Sequence, residues 1–344
     1  MKKIVAILSA GCIIVTIPVL GDHLKDSLSG MLKKKDEIPA MVNLDILSAT
    51  QPVKAKSRSP KTVIATVNHI DIIKKDVDTY LQQRTKGEVT DFDLLSKEQR
   101  LVLIKEISLS LLLEEGAQKA LSDREKDAVL SSVWIMQKTQ DANITDAQIK
   151  VVYEELKIQA KAQGTIQQVS PFEAVKERIK IQIVTQKIAS DLMEGAKVRI
   201  VQDAGNIAGY VGMITISIDE ANKVLQTMTQ GKMNWKTIST TEKMQLLQAI
   251  APSKFIALAA KNSLSEKEQK SVLANYWTQK RLSQISVSDM EVKKRYEEIK
   301  KIQKGTKLEK ELLNYTTLEK SLKMQIANEK FIEGLLKQAK IKLK

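Results

Sequence analysis

The feature that most constrains this chain is that it repeats itself. At an offset of 143 residues, positions 121–157 lie without a gap on positions 264–300, and 12 of the 37 pairs are identical. Two of the three tryptophans, Trp134 and Trp277, fall in register, as do Tyr153 and Tyr296. The register continues to the end of the chain, where 172–200 lies on 315–343 and Phe172 meets Tyr315. Near the start the offset becomes 144, pairing Val67 with Val211, Ile70 with Ile214, Ile72 with Ile216 and Gly87 with Gly231. The repeated unit therefore covers 62–201 and again 207–344. A period of about 140 residues is too long for a solenoid repeat and suits a duplicated domain.

The helix signals recur with the same period. Ser122-x-x-Glu125 and Ser265-x-x-Glu268 are capping boxes, as are Thr145-x-x-Gln148 and Ser288-x-x-Glu291. Pro171 is expected as the first helical residue of the helix that follows it. In the first copy the patterning predicts a strand over 62–68, a turn, and a short strand at Ile70–Ile72. Helices are expected from about 74 to 83, and over 97–120, 123–139, 146–163 and 171–195, with a closing strand at 197–201. The predicted class is mostly α: two tandem multi-helix modules, each with short terminal strands that could pair with one another. Leu103, Ile104, Ile107 and Leu111 make an apolar stripe at helical spacing, and they and the two repeated tryptophans read as core rather than as ligand sites. Pro252 stands at a mid-helix position of the second copy, where a proline is expected to kink or split the helix.

Residues 1–21 have the plan of an export signal: Lys2 and Lys3, an apolar run from Ile4 to Leu20, and Val19-Leu20-Gly21 as a cleavage site. An uncleaved anchor is the alternative, weakened by Gly11 and Pro18; a third reading makes "LSAGC" a lipidation signal at Cys12. Under all three the rest of the chain is expected outside the cytoplasm, in the periplasm or cell envelope. Residues 22–61 read as a linker.

The net charge of +14 suits acidic partners or simply well-solvated lysine-rich faces. No zinc-finger spacing or basic-region heptad run accompanies it, so nucleic acid is not expected as a partner. Cys12 is the only cysteine, and His23 and His69 are the only histidines. Disulfide frameworks, Ser-His-Asp or Cys-His centres and multi-histidine zinc sites are therefore not expected. The sequence names no catalytic, cofactor-binding or metal-ligating residue, and the expectation is a protein without a cofactor.

The opening of the first copy, "VIATVNHIDIIKKDVDTYL", resembles the start of the chaperone module of the SurA/PrsA/PpiD class of exported foldases. That module begins with a strand, a "V-N-G-x-x-I" turn and a helix with an acidic residue near its start. Val67 to Ile72 fills the turn here, with His69 in the place of the usual glycine and so expected in the left-handed conformation, and Asp76 and Asp78 lie where the helix begins. "ITDAQIKVVYEELK" (144–157) and the closing "FEAVKERIKIQIVTQKIASDLMEGAKVRI" (172–200) are similar to later helices of the same class. In that class a parvulin prolyl isomerase domain usually separates these two helices, whereas only 158–170, and 301–314 in the second copy, stand between them here. Segments this short have no core to bury. The resemblance thus implies an exported, ATP-independent chaperone that holds unfolded, secreted or outer-membrane polypeptides in apolar grooves and is not an enzyme. The basic balance of the chain adds association with the membrane surface as a further expectation. Two alternatives stay open: a non-enzymatic envelope adaptor binding one folded partner, and a member of the isomerase family with residual isomerase activity. Chaperone surfaces are diffuse, so substrate-binding residues are not assigned from sequence.

Overall fold

A computed structural model describes residues 56–164, 169–201, 205–303 and 315–344. The signal or anchor over 1–21 and the linker as far as residue 55 lie outside the described residues. The first copy folds as β1 (Val63–Val67), β2 (Ile70–Ile73), α1 (Lys74–Arg84), α2 (Lys97–Ala120), α3 (Asp123–Asp141), α4 (Asp146–Ala162), α5 (Phe172–Met193) and β3 (Val198–Ile200). The second repeats it as β4 (Ile207–Val211), β5 (Ile214–Ser217), α6 (Ile218–Thr229), α7 (Thr240–Ser263), α8 (Glu266–Leu282), α9 (Asp289–Gln303), α10 (Tyr315–Gln338) and β6 (Ile341–Leu343). The fold is mostly helical, with a few short antiparallel strands. All four predicted capping boxes form; in each, the Ser or Thr hydroxyl accepts a backbone N–H while the acid or amide reaches back. Pro171 caps α5 rather than opening it.

The strand pairing departs from expectation. The opening and closing strands of one copy do not pair with each other. Instead β6 runs antiparallel to β1, with Ile341 opposite Val67 and Leu343 opposite Ala65. Likewise β3 runs antiparallel to β4, with Val198 opposite Val211. Each three-stranded sheet, β2-β1-β6 and β3-β4-β5, is thus completed by the other copy's closing strand. The compact units follow this exchange. A medial unit gathers 122–272, and a terminal unit gathers 56–121 with 273–344. The physical reason is degeneracy. Val198 and Ile200 present the same alternation as Ile341 and Leu343, so either strand can complete either sheet, as in an element exchange between identical protomers.

The two main cores match position by position. In the terminal unit Ile64, Val67, Ile72, Val77, Leu81, Phe92, Leu103 and Ile104 are buried together, covered by Leu336, Ala339 and Ile341 from the end of the chain. In the medial unit Ala208, Val211, Ile216, Ala221, Leu225, Trp235, Leu246 and Leu247 take those places, covered by Met193, Ala196 and Val198. A smaller cluster ties α4 to α5 around Ile149 and Ile179, and its counterpart ties α9 to α10 around Val292 and Leu322. Across each of these helix pairs the repeated tyrosine meets the next helix's first aromatic edge-on: Tyr153 with Phe172 at 5.4 Å, Tyr296 with Tyr315 at 5.6 Å.

Two local expectations change. The left-handed residue of the first turn is Asn68 (φ 54°), matched by Gly212 (φ 54°), and not His69. Asparagine tolerates this conformation better than most residues, and Asn68 also uses its side chain. Its amide donates to Glu115 Oε2 at 3.2 Å and its carbonyl accepts the Lys340 N–H at 3.1 Å, joining the turn to α2 and to the approach of β6. Pro252 does not split α7, which runs unbroken from Thr240 to Ser263 with the proline ring buried. Beside the proline the Ser253 hydroxyl donates to the Ile250 carbonyl at 2.9 Å.

One part of the first copy has no equal in the second. Lys74 is only 3% exposed, and its Nζ lies 2.6 Å from Asp78 and 2.7 Å from Asp91. Asp78 also accepts the Phe92 N–H at 2.8 Å. Arg58 lies 2.7 Å from Asp93 and donates to the Lys344 carbonyl at 3.0 Å, so the ion pairs reach the end of the sheet. At the corresponding places the second copy carries Ile218, Asn222, Asn234 and Lys236. Asn222 still accepts the Trp235 N–H at 2.7 Å, so the hydrogen bond persists while the charges are gone together. Removing one partner of a buried pair strands the other, at roughly 3–5 kcal/mol, whereas replacing all partners is nearly neutral. Lys74→Ile alone is therefore expected to destabilise the protein by about 3–5 kcal/mol. The triple Lys74→Ile, Asp78→Asn, Asp91→Asn is expected to recover most of that loss, measured by urea unfolding. Burial opposes ionisation of Asp91 and Asp93, yet bonds from Lys74, Ser57 and Arg58 hold both below 3.8. A lowered carboxylate pKa stabilises above the ordinary value and loses that contribution as pH falls through the folded value. Stability of the wild type should thus fall below pH 3.8, and less steeply in the triple variant.

Candidate functional site

A recess with a built floor lies in the terminal unit. It is a groove of about 470 Å³ formed by the end of α2, the second half of α8 with the turn after it, and α10. Its position follows from a glycine. Trp277 on α8 leans on the α2 backbone at Gly116, where a Cβ would come within 2.6 Å of Trp277 Cζ3. The indole is 8% exposed and meets Phe331 of α10 edge-on, with ring centroids 5.4 Å apart. These two rings, with Ile285 and Leu335, give the groove an apolar floor. Gly334 opens its wall, since a Cβ there would meet nothing within 4 Å.

The rim is cationic. Lys280, Arg281 and Lys330 line the groove, and no carboxylate does. Arg281 is exposed; its guanidinium donates to Gln284 Oε1 at 3.1 Å and forms no ion pair among the described residues. Lys330 lies 2.6 Å from Glu291 on α9 and donates to the Ser286 carbonyl at 3.2 Å. The Lys330 hydrogen bond and those from Ser288 hold Glu291 down to about 2. Lys330 is thereby positioned over the groove by the same box that caps α9.

The equivalent positions in the medial unit carry different chemistry. Trp134 stands for Trp277, Ile188 for Phe331 and Ala259 for Gly116. Asp141 stands for Gln284 and Asp191 for Gly334, so this set of positions holds two acids together with the two cations Lys138 and Lys187. Trp134 is 7% exposed, its ring carries Lys138 Nζ at 5.9 Å, and its Nε1 is buried without a partner among the described residues. The neutral wall and aromatic pair belong to the terminal unit.

Large apolar side chains are also exposed elsewhere, and five of them are methionines: Met213, Met228, Met244, Met290 and Met324, all in the second copy. Exposed methionines adapt to varied apolar partners because the thioether chain is unbranched and polarisable. Among the described residues no cluster of three or more His, Cys, Asp or Glu side chains is placed to hold a metal, and no helix is long and apolar enough to cross a membrane.

Trp277, expected as core, is buried and also floors the groove; Arg281, Phe331 and Gly334 were not anticipated. Their signal lay in the repeat itself, where Gln284 and Gly334 break a register that otherwise holds an acid. Comparison with protein families, with curated proteins and with solved structures returned no match for this chain.

The Gly116 contact can be tested by sign. Helix propensity alone would make Gly116→Ala stabilising by about 1 kcal/mol. The clash with the Trp277 ring should reverse this, giving a net loss of roughly 1–3 kcal/mol in urea unfolding with a shifted tryptophan emission. A raised unfolding midpoint would show that the ring does not rest on the helix backbone.

Proposed function

We propose that this protein is an exported, ATP-independent chaperone of the SurA/PrsA/PpiD kind, lacking an isomerase domain and holding unfolded or secreted polypeptides. The observation that carries this reading is the aromatic-floored groove with its cationic rim. A recess of this size takes a few side chains of an extended segment, and a polar rim around an apolar floor excludes water from the contact without fixing one sequence. The exposed methionines supply additional adaptable contact of the kind promiscuous binders use. Several weak contacts on one chain raise the effective concentration of each next one, so holding needs no nucleotide. Short connections in place of an isomerase domain, and the absence of histidines after His69, support a role without catalysis.

A second reading, an envelope adaptor that binds one folded partner, is favoured by a specific observation. The groove chemistry is confined to one unit, since Asp141 and Asp191 alter the equivalent surface of the other.

The decisive measurement is light scattering of an unfolding client in the presence of the chain lacking residues 1–21. Suppression of aggregation at stoichiometric amounts, for several unrelated clients and without ATP, is the expected result. No suppression, together with saturable binding to a single folded envelope protein, would replace the chaperone reading by the adaptor. Acceleration of proline isomerisation in a peptide above the uncatalysed rate would return the chain to the enzymes.

A further inference from the structure

We infer that the groove of the terminal unit selects acidic polypeptide segments, in which one or more carboxylates flank a buried apolar side chain. The inference rests on the polypeptide-holding reading and narrows it to a substrate class. Lys280, Arg281 and Lys330 surround a floor made of Trp277 and Phe331, with no carboxylate in the lining. A segment entering this groove would bury an apolar side chain on the rings while its flanking groups face this cationic rim, in which Lys330 is already paired with Glu291. Charge complementarity at such a rim steers encounter and sets specificity. Arg281 is suited to the contact, because among the described residues its exposed guanidinium donates to the neutral Gln284 amide and forms no ion pair, leaving donors for a carboxylate.

The second copy's own sibling supplies the argument against a generic basic surface. At the two places where the groove wall is neutral, Gln284 and Gly334, the first copy carries Asp141 and Asp191. Lysines at the rim are common to both copies, as Lys187 and Lys330 show. What distinguishes the groove is a wall without acids, beside a floor in which Phe331 takes the place of Ile188. A recess between helices also fits a chain segment better than the flat face that a membrane surface requires.

The test uses the full chain and two designed exchanges. Gln284→Asp with Gly334→Asp imports the first copy's acids, and the open space at Gly334 accepts the added side chain. Gln284→Asn with Gly334→Asn adds similar volume without charge. Calorimetry with two extended peptides, identical but for Glu or Gln on either side of one leucine, reads the preference. The wild type should bind the Glu peptide at least about tenfold more tightly at low salt, with the margin shrinking severalfold at 0.5 M salt as screening shortens to a few ångströms. The Asp pair should abolish that margin and leave the Gln peptide within about twofold, and the Asn pair should keep it. Equal affinity for the two peptides, binding of neither, or a margin unchanged by the Asp pair overturns the inference. So does binding to vesicles rich in anionic lipid that the Asp pair removes while the peptides stay indistinguishable. Aggregation suppression of a neutral unfolded client by the same preparations separates the two failures. If it persists, only the acidic preference falls; if it is absent, the holding reading falls with it.

Discussion

The antiparallel ladders between β1 and β6 and between β3 and β4 are the contacts on which the rest of the molecule depends. Each carries few hydrogen bonds, yet each brings the end of one copy onto the start of the other and so decides which helices share a core. Leu336, Ala339 and Ile341 cover Ile64 and Val67 only because β6 lies on β1. Met193, Ala196 and Val198 cover the medial core for the same reason. The groove inherits this arrangement, since its Ala120 wall comes from the first copy and its remaining lining from the second.

The duplication also gives an internal control on what the fold requires. Phe92 and Trp235 occupy one position; Arg58 and Arg100 lie over the first, Lys243 over the second. The requirement at that place is a large ring under a cation, not a particular ring. Around it the copies diverge as sets. Lys74, Asp78 and Asp91 in one become Ile218, Asn222 and Asn234 in the other, which keeps the side-chain acceptor for the next segment's backbone N–H at Asn222 and removes these three charges at once. Intermediate combinations leave an ion without its partner in an apolar setting, so the set behaves as a single unit of change.

Much of this was legible in the sequence, and the boundary between what was and what was not has a physical cause. Helix ends were legible because a Ser or Thr followed three residues later by Glu or Gln is a local signal, satisfied within one turn. Core positions were legible because periodicity and the repeat register agreed at residues such as Leu103 and Leu246. The exchange of closing strands was not, because two copies of one strand offer equal partners and nothing local tells them apart. The left-handed residue was misplaced by one, since the resemblance pointed to His69 while Asn68 could use its amide on both Glu115 and Lys340. Pro252 broke a propensity rule that burial on the packed face of α7 overrode. The groove drew on three helices, and only the places where the repeat loses its acids, Gln284 and Gly334, hinted at it.

Building one unit from the two ends of the chain has a consequence for the order of events during synthesis. The medial unit spans 122–272 and holds all its own parts, so it can become native while the ribosome is still extending the chain. The terminal unit cannot. Asn68 waits for Lys340, its partner 272 residues later, and until then β1 presents an unpaired edge above a half-covered apolar core. Loop-closure entropy rises only slowly with such a separation, so the delay is a matter of timing more than of final stability. In such a layout the first segment made belongs to the last unit finished, and its open strand edge persists until the closing residues arrive.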